Sequence, residues 1–286
     1  MYSKSITRKN RALFIIAIDQ SCSMAGELII AGRTLSKAEM VAEVASDLIA
    51  ELIERSRRSE GIRDYYDVAV IGYSGEGVRS ILSPERWISI TELDKLEVEK
   101  GEVEREYRLS DGELRLFRHH VRRWITPTAT GSTPMYEALL TVHDIAQEWI
   151  SSHENRESFP PIIYNITDGE STDCDYDDIA EVASKIKSIS TLDGQALLFN
   201  VHIASSHSEK SILFPSLAEM AAWESCSRSA LSLFHSASHL PELFRDAMSH
   251  IKEPSNTQEL KAMSFNCSMT ELITILNIGS ISIKRK

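Results

Sequence analysis

The sequence has no apolar run approaching the roughly 18 residues a membrane-crossing helix needs, so no membrane span is expected. Its four cysteines, Cys22, Cys174, Cys226 and Cys267, are scattered with no Cys-x-x-Cys pair. That spacing argues against a structural zinc site and suits a reducing compartment, and a cytoplasmic setting is expected. Positive charge is in deficit: 31 Lys and Arg face 42 Asp and Glu, a net charge of −11. Electrostatics therefore disfavour a generic binder of nucleic acid or of acidic membrane. No Gly-Lys-Ser/Thr phosphate loop is present, and Gly72-Tyr-Ser-Gly75-Glu-Gly77 has the wrong glycine spacing for a dinucleotide fingerprint. The basic segment Met1 to Arg11 leads into an apolar run that meets Asp19 after seven residues, without a small-residue cleavage site. It reads as the approach to a strand and not as a signal peptide. There is no internal repeat and no low-complexity tract.

What is present is ordinary globular composition, 42% apolar and 26% charged over 286 residues, enough for one large domain or two small ones. Two periodicities alternate. Ala12 to Ile18, Asp67 to Tyr73, Pro161 to Thr167 and Ala196 to Ala204 are short apolar runs of the kind buried on both faces of a sheet. Between them, Leu35 to Arg57, Thr133 to Ile150 and Asp175 to Ile189 place apolar residues at threes and fours, as helices do. Leu231 to His235 is expected as a further short strand and Pro241 to Ile251 as a further helix. Strands separated by helices imply right-handed crossovers, and the expected fold class is α/β: a doubly wound, mainly parallel sheet with helices on both faces.

Two regions break the rhythm. Residues 84–125 are dense in mixed charge, from which we expect an edge strand or hairpin excursion followed by a helix at Leu114 to Trp124. After Pro254 the composition resembles a linker, and Ser268 to Leu276 offers a short helix opened by a capping-box pattern, Ser268 and Glu271. The expected organisation is one domain over 1–252, with its core at about 10–252 and a charged insertion at 84–125. A C-terminal tail follows over 253–286.

Three loops carry the chemistry. Asp19-Gln20-Ser21-Cys22-Ser23-Met24 follows the first strand, and in an open parallel sheet ligands bind where strands end. A carboxylate and two hydroxyls at alternate positions there suit a hard cation that prefers oxygen ligands; alone, the same residues also describe an ordinary turn cap. Thr128-Ala-Thr-Gly-Ser-Thr-Pro-Met135 opens the second long helix, with Pro134 at its first position and Thr133 either capping it or facing the crevice. Thr167-Asp168-Gly169-Glu170 follows the third strand, so Asp168 also stands at a strand's carboxyl end. Three strand-end loops each bringing oxygen groups are a more specific signal than any one of them.

DQSCSM, TGSTPM and ITDGES, in that order, resemble the three loops of a von Willebrand factor type A domain, over roughly residues 10–252. The resemblance implies a metal-ion-dependent adhesion site with Ser21, Ser23 and Thr133 ligating Mg²⁺ directly and Asp19 and Asp168 acting through water. Mn²⁺ and Ca²⁺ are the other ions such a site would take. It further implies a protein partner whose Asp or Glu completes the metal shell, and no catalysis. Cys22 departs from the pattern, since many relatives have glycine there. The combination is similar to bacterial intracellular members that occur beside kinases, phosphatases or ATPases in stress-response, tellurite-resistance or defence gene clusters. The alternatives weighed are a metal-assisted phosphatase or hydrolase, and a structural domain whose cation only stabilises the loops. Outside the three loops, Asp173, Asp175, Asp177 and Asp178 are expected to start a helix, with Asp175 as its cap. His119, His120, His202 and His207 are not assigned to metal.

Overall fold

Every residue of Ala12-Leu-Phe-Ile-Ile-Ala-Ile-Asp19 is buried, and this strand, β1, is the axis of the molecule. Its side chains alternate as a strand's must. Phe14, Ile16 and Ile18 enter one apolar core, while Leu13, Ile15 and Ala17 enter a second on the opposite face. In the computed structural model, residues 1, 5, 31–32, 109–113, 153–154, 204–210, 224–225, 245–251, 253–259 and 282–286 are left undescribed, and the rest of 1–286 is described. After β1 (Ala12–Asp19) come the hairpin β2 (Glu27–Ile30) and β3 (Arg33–Ser36), α1 (Lys37–Ser56), and a small ribbon of β4 (Arg57–Arg58) and β5 (Gly61–Ile62). Then follow β6 (Tyr66–Ser74), β7 (Gly77–Ser80), β8 (Ile88–Ser89), α2 (Ile90–Lys95), β9 (Glu99–Arg108), β10 (Leu114–Arg123) and α3 (Met135–Ser151). The remainder is β11 (Ile162–Thr167), α4 (Tyr176–Ser188), β12 (Leu197–Ile203), β13 (Ile212–Leu213), α5 (Leu217–Ala221), α6 (Arg228–Ser236), β14 (Met263–Cys267) and α7 (Met269–Ile281).

The main sheet has eight strands in the order β13-β14-β12-β11-β1-β6-β7, with β8 also paired to β6. The five central strands from β14 to β6 are parallel, and β7, β8 and β13 pair antiparallel at the edges. The fold is therefore the expected α/β, doubly wound, mainly parallel sheet. From β1 the chain moves outward through β6 to β7, then returns to β1's other side at β11 and proceeds to β12 and β14. The reversal leaves a switch point between the carboxyl ends of β1 and β11, which is where such sheets take ligands. Helices α1, α2 and α7 supply the first core and α3, α4 and α6 the second.

Two expected elements take the other form. Leu114 to Arg123 is a strand, β10, and not a helix; it pairs antiparallel with β9 over ten residues. The register sets Glu99 against Arg123 and Glu102 against His120, and opposite charges facing across a ladder stabilise it. The acidic block is thus one half of a ribbon whose basic half lies further along the chain, a pairing that local periodicity does not show. Leu231 to His235, expected as a strand, lies inside α6. Ser227 accepts from the Ala230 amide at 3.0 Å to cap that helix, and Ala230, Leu233 and Phe234, at helical spacing, are buried. The sheet position at that edge goes to β14, whose five residues are all buried. Residues 263–267 therefore form a strand of the main sheet, and α7 behind them packs Leu272, Ile275 and Leu276 into the first core. The helix expected over Pro241 to Ile251 begins as a single 3₁₀ turn at Glu242–Phe244, and 245–251 lie outside the described residues, as do His207 and most of the linker after Pro254.

Candidate metal centre

The switch point is lined with oxygen. Asp19, the last residue of β1, is completely buried. One of its carboxylate oxygens accepts from the Ser21 amide at 2.9 Å, an Asx turn that bends the chain off the strand. The other accepts from the Thr167 hydroxyl at 2.6 Å, which ties the end of β1 to the end of β11. Ser21 Oγ lies 3.0 Å from Ser23 Oγ, and Ser23 Oγ donates to Asp168 Oδ1 at 2.6 Å. Asp19, Ser21, Ser23 and Asp168 thus form one hydrogen-bonded cluster drawn from two loops that are 145 residues apart between Ser23 and Asp168.

Thr133 is tied by its backbone to the third loop, beyond Asp168. Its amide donates to Thr172 Oγ1 at 2.9 Å, and its carbonyl accepts from the Thr172 amide at 3.0 Å. The second loop is thereby stitched to the third, and Thr133 itself is buried. It does not cap α3: Pro134 occupies the cap position and offers no side-chain bond. Asp173 serves that end instead, accepting from the Tyr136 and Glu137 amides at 3.1 and 3.0 Å. Asp175 caps α4 as expected, in a capping box with Asp178. Asp173, grouped in the sequence with the start of α4, in fact binds the helix across the site.

The first and second loops are joined as closely. Thr130 N donates to the Gln20 carbonyl at 2.7 Å, and Cys22 N to the Gly131 carbonyl at 3.0 Å. Gly131 N returns a bond to Cys22 Sγ at 3.0 Å, so the residue that departs from the family pattern takes part in the stitching. Gly131 has a φ of +69°, and a Cβ on it would lie 2.6 Å from the Cα of Gly75 in the β6–β7 turn. Neither glycine admits a side chain without moving backbone.

Beneath the site runs a buried polar chain. Tyr73 OH donates to Asn165 Oδ1 at 2.9 Å, Asn165 Nδ2 to Asn200 Oδ1 at 3.1 Å, and Asn200 Nδ2 to the Leu233 carbonyl at 2.8 Å. Tyr73 stands on β6 and Asn165 on β11, with β1 between them. The small Ala17, Asn165's register partner, stands on the intervening strand.

Burial lifts the Asp19 carboxyl above its ordinary value, hydrogen bonds from Thr167 and Ser21 hold it down, and the nearby Asp168 charge adds to the lift. Burial, reinforced by the charge of Asp19, also pushes the Tyr73 phenol well up. Asp19, Ser21, Ser23 and Asp168 bring together two carboxylates and two hydroxyls, the donor types a hard cation prefers, and a cation there would relieve the cost of the buried Asp19 charge. The residues fit such an ion. Among the described residues no three of His, Cys, Asp and Glu converge on a point, so a metal here depends on hydroxyl ligands.

One participant has no counterpart in the sequence reading. Lys37 Nζ donates to Asp168 Oδ2 at 2.6 Å, with side-chain exposures of 7% for the lysine and 1% for the aspartate. The sequence did carry a signal: Lys37 is the first residue of a helix, capped by Ser36, where a cation opposes the helix dipole. Thr167, which joins the ends of β1 and β11, stands in the same motif as Asp168, and Thr172, which binds Thr133, lies just beyond it.

No family model and no curated protein matches this sequence. Solved structures similar to it include a von Willebrand factor type A protein from Catenulispora acidiphila, 15% identical, with a TM-score of 0.36 over 68% of this chain and 34% of that one. The VWA domain of SpRpn10 is 10% identical, with a TM-score of 0.38 over 68% of this chain and 75% of that one. The vWF domain of the type V pili tip protein Mfa5 from Porphyromonas gingivalis is 14% identical, with a TM-score of 0.32 over 57% and 39%. The neighbours are von Willebrand factor type A domains, and this chain spans about a third of the first one's length. Likeness this loose carries no argument about mechanism, which rests on the strand order and the rim geometry. Among the described residues no helix is long and apolar enough to cross a membrane.

Proposed function

We propose that this chain is a metal-dependent protein-interaction module of the von Willebrand factor type A kind. Asp19, Ser21, Ser23, Thr133 and Asp168 would hold Mg²⁺ at the rim, and an Asp or Glu of a partner protein would complete its shell. The cation would supply an electrophilic position on which a carboxylate exchanges water for a metal bond. The observation that carries this reading is the hydrogen-bonded cluster of Asp19, Ser21, Ser23 and Asp168, linked through the Ser21 amide and the two serine hydroxyls, at the point where the strand order reverses. The arrangement favours binding over catalysis. Both Asp19 oxygens are engaged, by the Ser21 amide and the Thr167 hydroxyl, so that carboxylate is a positioner and a poor nucleophile. A bacterial stress-response or defence setting belongs to the same proposal. Calorimetric titration of Mg²⁺ into the wild-type chain and Asp19→Ala tests it. A saturable heat in the first that vanishes in the second is expected, and equal heats reject the assignment.

A further inference from the structure

A site that only cradles a divalent ion has no use for a buried ammonium on one of its carboxylates. Yet the Lys37 stem is folded inward so that Nζ meets Asp168 Oδ2 at 2.6 Å, while Asp168 Oδ1 is already engaged by Ser23. The placement is built. Gly26 leaves the lysine its room: a Cβ there would stand 3.3 Å from Lys37 Cε and 3.6 Å from Nζ. Gly26 also accepts from the Lys37 amide at 2.9 Å through its carbonyl, which fixes the start of α1 beside the first loop. Helix stability does not account for a cation at this position, because the N-terminal end of a helix dipole is itself positive.

We infer that Lys37 is a built-in competitor for the cation position: its ammonium neutralises Asp168 in one state of the site and must leave that carboxylate before a divalent ion can use it. The inference rests on the metal-binding reading above. A divalent ion and an ammonium sharing one buried carboxylate repel each other strongly where the dielectric is low, so the two occupants exclude one another. The site is then a two-state element, closed by lysine or opened by metal, and Lys37 sets the concentration of ion at which it opens.

The test uses the full chain and Mn²⁺, read from the free-ion electron paramagnetic resonance signal. Lys37→Met keeps the length of the stem and removes the charge. It is expected to bind Mn²⁺ about 10- to 100-fold more tightly than wild type, the usual span of coupling between two linked sites. Equal or weaker binding by Lys37→Met, with wild type binding, overturns the competition and leaves the metal reading standing. Failure of both proteins to bind overturns both. A second measurement needs no variant: reductive methylation of wild type in EDTA and in saturating Mn²⁺, with the half-exposed Lys185 as internal reference. Methylation of Lys37 is expected to rise several-fold with the ion, and an unchanged ratio overturns the inference.

Discussion

Asp168→Asn, made in metal-free buffer, removes one charge from a buried pair and leaves the other. Asp168 and Lys37 have side-chain exposures of 1% and 7%, so solvent does little to screen what remains. Stranding a buried charge in this way costs about 3–5 kcal/mol. In domains of 150–250 residues each kcal/mol lowers Tm by about 2–4 °C, so a fall of roughly 6–20 °C is expected. The oxygen that Asn retains can still accept from Ser23, which keeps the loss of that bond out of the comparison. Lys37→Met strands the carboxylate instead and is expected to cost a similar amount. The double variant strands nothing, and it should therefore be more stable than either single one, with a coupling energy of about 2–3 kcal/mol. Urea unfolding in EDTA, followed by tryptophan fluorescence, measures all four corners of the cycle. Single losses below about 1 kcal/mol that simply add in the double variant would refute the argument, because they are what a solvated surface pair gives. The consequence for function is that removing Asp168 is not a neutral way to abolish metal binding.

Three further outcomes follow from the geometry. Tyr73→Phe leaves the buried Asn165 Oδ1 without the donor it has at 2.9 Å; a loss of about 1–3 kcal/mol is expected in the same urea assay. Gly75→Ala puts a Cβ 2.8 Å from Gly131 Cα and 2.9 Å from Ser132 N. The second loop must move, and Mn²⁺ affinity should fall about 10–100-fold, as it does when the support of a metal site is disturbed. Lys187 is held by burial and by the Lys261 charge at a pKa of about 8, against an ordinary 10.5. The unfolded chain binds more protons than the folded one between those values, so this group's contribution makes stability rise with pH from about 8 to 10.5. Lys187→Met should flatten that rise in urea midpoints measured across the window, and an unchanged slope would count against it.

The parts of the fold legible in the sequence are those that local pattern dictates. Ala12 to Ile18 is apolar at every position because both faces of β1 are covered, and Met40, Val41, Val44, Leu48, Ile49, Leu52 and Ile53 mark the buried side of α1. What escaped depends on partners distant in sequence. Leu114 to Arg123 becomes a strand because Glu99–Arg108 lies beside it, and Met263–Cys267 becomes one because β12 has an open edge. The site divides in the same way. Asp19, Ser21, Ser23 and Asp168 were legible because strand-end loops carry a recognisable order of oxygen side chains, and the structure joins all four by hydrogen bonds. Thr133 lies in the adjoining loop, tied to the third by its backbone. Lys37 was not legible as a site residue, because only the folded chain brings the start of α1 against the third loop. Its one local trace is the wrong sign of charge for a helix's first turn.

The most direct test is a crystal structure of the chain soaked in Mn²⁺, read at the metal's anomalous edge. The account predicts one peak among Asp19, Ser21, Ser23, Thr133 and Asp168, with Lys37 Nζ withdrawn from Asp168. Density showing the ammonium still on Asp168 and no peak at the rim would contradict it.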